Sequence, residues 1–423
     1  MPQDTAALAA GGTILAADGV PLKTKLSQAY RLRRLRALGL VLPLFVFILI
    51  SFLIPIVDML FNSVDNPLLS EKLPKTVQIL EKWDGQDLPD EVTYETIVKE
   101  LKLRRLSRDL GQVASRLNFE KGGMRSLITK SGRKLKKVKH GPYKEALIKI
   151  DKRWGQREIW ATIKLIGNRY TTVHYLAAVD HHYDANGNIV PQPEVRQIYI
   201  IIFNRTLWIS LLVTVLCLIL GYPIAYLLAT LPLRYSNLLM IMVLLPFWTS
   251  LLVRTYAWLV LLQKKGLLNE FAIQIGLWET PVKLVHNMTG TLIGMAHIML
   301  PFLVLPLYGA MRRIEPDLMR AAANLGAKPV QVFWKVFFPM SLPGMVAGSL
   351  IVFVLCLGFY VTPAVLGGGR VVMVATQITA ILENQFNWGA ASALGVVLLI
   401  ATLIILYLAG RLLKLDNILF GRN

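Results

Sequence analysis

Six long apolar runs, separated by polar stretches of unequal length, lay out this chain of 423 residues. They cover residues 37–61, 206–228, 238–262, 289–311, 345–366 and 390–413. The first holds roughly 25 residues, which at ~1.5 Å each span ~37 Å and exceed the ~30 Å of bilayer hydrocarbon. Such runs predict transmembrane helices, because in lipid a helix satisfies its own backbone hydrogen bonds. The pattern as a whole predicts an all-α polytopic membrane protein with six spans. The interval at 62–203 differs in kind. It is polar and charged, has no run of membrane length, and predicts an extramembrane insert of domain size.

Within the insert, KELKLRRLSRDLGQVASRL, from Lys99 to Leu117, reads as one amphipathic helix. RYTTVHYLAAVD, from Arg169, is rich in β-formers, and Asn186-Gly187 predicts a turn between it and Ile189-Val190. A small α+β domain is expected. His181 and His182, flanked by Asp180 and Asp184, are residue types that ligate metal, but a solvated turn accounts for them more simply. GRKLKKVKH, at 132–140, is strongly basic. Without interleaved aromatics or a nucleic-acid motif it does not point to nucleic acid.

Composition sharpens the membrane reading. The chain is 54% apolar with a mean hydropathy of +0.51, high for a soluble protein. Its net charge of +20 flanks apolar runs in large part, as the positive-inside rule requires. RLRRLR, from Arg31 to Arg36, abuts the first span. With six spans, Arg234, Arg312, Arg313, Arg320, Arg411 and Lys414 fall on the same side as both termini. That side is expected to be the cytoplasm, which puts the 62–203 insert outside it. Long translocated segments largely escape the charge rule, so the insert's own basic excess does not oppose this orientation. Residues 1–36 form an N-terminal tail, loosely ordered up to about residue 30, and 415–423 a C-terminal one. The first run is too long for a signal h-region and is expected to stay as an anchor. Cys217 and Cys356 both lie inside apolar runs, which leaves neither a disulfide framework nor a thiolate metal site.

The most ordered loop lies within 312–342. Pro316 suits a first helical turn, and Ala321, Ala322 and Ala323 are small, strong helix formers that let another protein approach the backbone. Gly326 falls where a helix ends in a left-handed residue. Pro329 opens a second short helix to about Phe338, which Pro339 and Pro343 are expected to end. The product is a helix–glycine–helix elbow on the cytoplasmic face. Arg254 is the one charge well inside a run, in PFWTSLLVRTYAWLVLL beside Trp248, Thr249 and Trp258. Counted along a straight third helix it lies ~24 Å from the cytoplasmic end. It either snorkels to an aromatic belt or clamps helices along a path. Pro246, Pro301, Pro306 and Pro363 interrupt the third, fourth and fifth spans, and each frees a backbone carbonyl. Gly344 and Gly348 form a small-xxx-small pair suited to close helix packing. The dipeptide Gly-Lys is absent, so the chain has no P-loop and binds no nucleotide of that kind. No catalytic, cofactor or metal-helix motif emerges, and the chain reads as a non-catalytic subunit.

The elbow resembles the signature loop of binding-protein-dependent ABC importer permeases: Glu-Ala-Ala, three residues, Gly, nine residues, Ile, one residue, Leu-Pro. Ala321, Ala322, Gly326, Val336, Phe338 and Pro339 stand at the matching offsets, and Arg320 replaces the usual Glu. PFWTSLLVRTYAWLVLLQKKGLLN, from Pro246, and GFYVTPAVLGGG, from Gly358, are similar to the spermidine/putrescine permease branch. The resemblance covers the first span and residues 204–414, and it leaves out the insert. It implies the type I ABC importer permease fold in the cell inner membrane. It also implies a cytoplasmic ABC ATPase dimer docked on Arg320, Ala321, Ala322, Gly326 and Pro339, a second permease subunit, and a periplasmic solute-binding protein. Candidates for the translocation path are Trp248, Thr249, Arg254, Trp258, Tyr360 and Pro363. Two positions where polyamine permeases carry acids hold Phe359 and Ala364 here, which keeps opines and other small nitrogenous solutes in view. An ion-coupled secondary transporter would need midplane acidic or His relays and inverted repeats, and the runs show neither. A membrane-anchored signalling protein would carry its function in the insert instead.

Overall fold

The computed structural model describes residues 22–412. Residues 1–21 of the tail expected to be loose up to residue 30, and residues 413–423, with Lys414 and the C-terminal tail, lie outside them. The chain divides into two units, at Met1–Phe61 and Asn62–Asn423. In the first, α1 (Leu22–Ile48) passes through a π turn (Leu49–Leu53) into α2 (Ile54–Asn62), giving one span over Arg36–Asn62. Residues 22–36, read as tail, are therefore helical. Extending an existing helix costs far less than nucleating one.

The insert is nearly all helix: α3 (Pro67–Lys72), α4 (Pro74–Lys82), α5 (Glu91–Leu106), α6 (Leu110–Glu120), α7 (Met124–Lys134), α8 (Tyr143–Ile150), α9 (Arg157–Gly167) and α10 (Val173–Ala178). Its sheet is one hairpin, β1 (His181–Tyr183) antiparallel to β2 (Ile189–Pro191), turning at Gly187 with φ +84°. Two expectations need correction. The segment from Arg169 is not a strand but contains α10. The helix expected from Lys99 to Leu117 is broken between α5 and α6, where Arg108 has φ +63°. There the Asp109 carboxylate accepts a local hydrogen bond from Ser107 (3.0 Å), which competes with helix continuation, and a tertiary one from Lys72 (2.9 Å). The insert core is mostly aliphatic, with Tyr94, Trp154 and Trp160 buried in it. Tyr94 OH donates to Trp154 O (2.8 Å), and Trp160 Nε1 donates to the same carbonyl (3.0 Å). Trp154 Nε1 donates to Ser131 Oγ (2.8 Å), so each buried polar tip has a partner.

The membrane core comprises α11 (Tyr199–Thr230), α12 (Leu233–Leu244), α13 (Leu251–Leu261), α14 (Leu267–Gln274), α15 (Met288–Met311), α16 (Pro316–Asn324), α17 (Pro329–Val332), α18 (Phe338–Leu357), α19 (Val374–Gln385) and α20 (Trp388–Leu412). Five single helices among the described residues are long and apolar enough to cross a membrane, and two bent pairs qualify jointly. One bent pair is the third span. It turns by 98° between Leu233–Trp248 and Leu251–Leu261. Pro246 lacks a donor, Thr249 and Ser250 are extended, and Thr249 Oγ1 takes up the exposed Pro246 carbonyl (2.9 Å). Arg254 therefore does not lie ~24 Å along a straight helix. It sits on an arm at right angles to α12.

The fifth span also departs from expectation. It ends at Leu357, and Tyr360 and Pro363 lie beyond it, at the start of the second bent pair (85°). Pro339 and Pro343 do not end the elbow's second helix. The chain runs from Pro329 to Leu357 as one span, through a π turn at Phe333–Phe337. Both this π turn and the one at Leu49–Leu53 stop two residues before a proline, Pro339 and Pro55. Widening the ladder rehouses carbonyls that the missing proline N–H would strand. Likewise α15 stays continuous through Pro301 and Pro306. Small residues bring α11, α15 and α18 together. A Cβ on Gly348 would lie 2.9 Å from the Leu303 carbonyl oxygen, and one on Gly344 would lie 2.3 Å from Ala310 Cβ.

The insert is seated on the ends of core helices. Ala178 and Phe119 pack with Ile381, Ala390, Ala391 and Leu394. Asp180 caps α11, accepting from the backbone N–H of Ile198 (3.1 Å), Tyr199 (3.0 Å) and Ile200 (2.9 Å). His174 is buried against Gly389, and burial, aided by Arg116, pushes it down to about 3, so it stays neutral at the seat.

Candidate functional site

The elbow is built as its residues dictate. Pro316 occupies the first turn of α16, with Asp317 beside it at the positive end of the helix dipole. Arg320, in place of the usual Glu, pairs with Asp317 across one turn (3.0 Å) in full solvent. Gly326 has φ +87° and nothing around its missing Cβ. The N–H of Gly326 donates to Ala323 O (2.9 Å) and that of Ala327 to Ala322 O (3.1 Å), closing the end of α16. Ala321 is exposed and Ala322 half-buried, while Leu325, Val330 and Trp334 stand out into solvent. Small backbone-exposing residues are thus ringed by apolar ones, a surface suited to being covered. Pro339 lies in the first turn of α18, inside the Pro329–Leu357 span, and is exposed.

What anchors the elbow escaped the sequence reading. Tyr226 on α11 meets Phe333 (5.7 Å) and Phe337 (5.1 Å) edge-on, and Tyr222 meets Phe338 (5.8 Å). Tyr222 OH and Ser341 Oγ share a hydrogen bond of 2.9 Å. A cavity of about 250 Å³ remains between Tyr226, Met319, Ala323 and Phe333. The signal was present as aromatic pairs at i, i+4 on two helices, 222/226 and 333/337. Which aromatics meet is a matter of tertiary packing. The elbow is tied in this way to the core helix α11.

The second cluster lies on the α13 arm. Arg254 Nε is buried without a hydrogen-bond partner, and so is Nδ1 of His297 on α15. The His297 ring packs edge-on to Trp258 at 5.4 Å, within the electrostatic reach of Arg254. His297 was not picked out from sequence, although it is the only histidine of its span. Thr255 Oγ1 lies 3.2 Å from Thr362 Oγ1, tying the arm to the residue before the buried Pro363. The structure therefore brings Arg254 and Trp258 to His297, and Thr255 to the Pro363 turn. It does not gather the remaining candidates. Trp248 is 89% exposed, Tyr360 is half-exposed, and Thr249 spends its hydroxyl on the Pro246 carbonyl. No group of three or more His, Cys, Asp or Glu among the described residues could hold a metal ion. His181 Nδ1 lies 2.7 Å from the Val179 carbonyl, and Asp184 caps the hairpin turn.

An ordered elbow of small residues on a bundle of bent, proline-rich spans defines a transport permease. Residues 220–414 match the family described as the binding-protein-dependent transport system inner membrane component. The chain belongs to this family of ABC importer permeases, multi-pass proteins of the inner membrane. It is 35% identical over 212 residues to the spermidine/putrescine transport system permease protein PotB of Haemophilus influenzae, covering 49% of this chain and 74% of that one. Against PotB of Escherichia coli K12 it is 33% identical over 220 residues, covering 51% and 80%. Among solved structures it is similar to the bacterial alginate ABC transporter in complex with a pentasaccharide-bound periplasmic protein. That likeness has 19% identity and a TM-score of 0.41, and covers 50% of this chain and 77% of that one.

Proposed function

We propose that this chain forms one half of the translocation path of an ATP-driven importer for a small nitrogenous solute, and that the solute is of the polyamine class. The elbow carries the reading. Its exposed small-residue face, braced by Tyr222 and Tyr226, is shaped to seat in a separate ATPase subunit and pass its movement to α11. The PotB relatives support the polyamine class. A second permease subunit, paired as a heterodimer, would close the path, and a solute-binding protein would deliver to it. A second reading, an opine or a related solute, has one observation in its favour: α11, α12, α13, α15, α18 and α20 contain no Asp or Glu to line a polycation path.

The test is uptake of labelled putrescine and spermidine by proteoliposomes holding the permease pair, the ATPase and the binding protein. ATP-dependent uptake competed by polyamines is expected. Competition by opines but not by polyamines transfers the assignment to the second reading, and ATP-independent uptake removes the importer reading altogether. We place both termini in the cytoplasm and the insert in the periplasm, so an alkaline phosphatase fusion at Gly122 should be active and one at Leu325 inactive. The opposite pattern inverts the orientation.

A further inference from the structure

Charge on the insert is unevenly neutralised. Several of its cations have carboxylate partners: Lys72 with Asp109, Arg116 with Glu120, Lys130 with Asp151. Asp151 is held well below the usual carboxylate range, chiefly by Arg153, with Lys130 helping. Between residues 133 and 139 five cations crowd into seven residues. Arg133, Lys134, Lys136, Lys137 and Lys139 are all exposed, and none has an ion-pair partner among the described residues. Leu135 between them is fully buried, which pins the run to the fold. Two more cations reinforce it from behind. Arg105 Nη1 donates to the Arg133 carbonyl (2.8 Å) and Lys102 Nζ to the Val138 carbonyl (2.6 Å), at the negative end of α7. Like charges so gathered repel one another, and the fold holds them together nonetheless.

The position of this patch limits what can cover it. α6 and α7 form an antiparallel hairpin, shown by Gly132 lying against Leu110. The α6 end at Phe119 packs on α19 and α20, and Arg196, just before α11, donates to Glu120 O (2.9 Å). The Leu110 end, and with it the basic run, lies roughly 14 Å further along the hairpin, counted at 1.5 Å per residue. That is more than a Debye length from the seat on the spans. The patch therefore lies exposed at the end of the α6–α7 hairpin opposite the one that seats the insert on the spans, open to a soluble partner.

We propose that the Arg133–Lys139 face is a docking surface for the acidic face of a soluble protein on the insert's side of the membrane. Given the importer reading, on which this rests, that protein is the solute-binding protein. Opposed charge of this kind acts mainly on the encounter rate, which it raises by about 10- to 1,000-fold at low salt.

The experiment measures binding of the purified solute-binding protein to the full-length permease complex in nanodiscs of neutral phosphatidylcholine, at low and high salt, with uptake recorded separately. Lys134→Glu, Lys136→Glu and Lys137→Glu together are expected to slow association about tenfold or more at low salt and to abolish most of its salt dependence. The matching Gln variant should fall between, which separates charge from misfolding. Unchanged association in both variants overturns the proposal. So does a salt-dependent effect seen only when phosphatidylglycerol is present, which would make lipid the occupant. Salt-dependent binding to the unmutated complex without ATP-dependent uptake counts against the importer reading and leaves the surface standing.

Discussion

Ala322→Glu and Gly326→Asp are expected to cut uptake by about 100-fold or more while the protein inserts normally. Burying an unpaired carboxylate in a contact costs several kcal/mol, and each 1.4 kcal/mol is a factor of ten. The fold should tolerate both changes. Ala322 is only half-buried, and nothing lies within 4 Å of the Cβ that Gly326 lacks. Asp also adopts the left-handed conformation more readily than most residues, so the φ of +87° survives at modest cost. The loss would therefore lie in docking rather than in the elbow's shape. Uptake, ATPase stimulation and membrane abundance measured together decide it. Wild-type values in both variants would remove the elbow from coupling.

The second large effect concerns Arg254. A guanidinium in the hydrocarbon costs roughly 2.5–3.5 kcal/mol on insertion scales, and here its Nε is buried without a partner. The helices α11, α12, α13, α15, α18 and α20 offer it no carboxylate, and His297, which packs on Trp258 one turn along, also has an unpartnered buried nitrogen. Such a pair persists if it meets solute, water or the second subunit during the cycle. Arg254→Ala should lower uptake by about tenfold or more at unchanged abundance, a loss of ~1.4 kcal/mol in one state of the path. Arg254→Lys should restore only part of it, because Lys lacks the planar fork of donors. Full uptake in Arg254→Ala leaves the side chain a mere interfacial anchor.

Much of this molecule was legible in one dimension. Six apolar runs, the charged interval at 62–203, the left-handed Gly326 and the close packing at Gly344 and Gly348 all follow from local composition. Each is a property of a short stretch in a uniform solvent, apolar in lipid or polar in water. The places where the sequence reading failed share a cause. Pro339 and Pro343 were read as ending a helix, yet they sit inside a continuous one, as Pro301 and Pro306 do within α15, while the chain turns by 98° just after Pro246. Whether a proline kinks, widens or breaks a helix depends on which neighbour takes the freed carbonyl. At Pro246 that neighbour is Thr249.

The same division holds for the site. Sequence alone determined that the elbow exists, and that Arg254 is an anomalous charge in an apolar run. Only the tertiary structure could decide that Arg254 faces His297 from a transverse arm, or that Thr255 reaches Thr362. It alone braces the elbow on Tyr222 and Tyr226, and it alone leaves Trp248 facing outward. Those partners are separated by tens to more than a hundred residues, and no local propensity encodes which long-range pair forms. Strand formers at 169–179 became α10 for the same reason. Seating Ala178 against α20 buries more apolar surface as a helix than an isolated strand could, and tertiary burial overrides a propensity of about 1 kcal/mol or less.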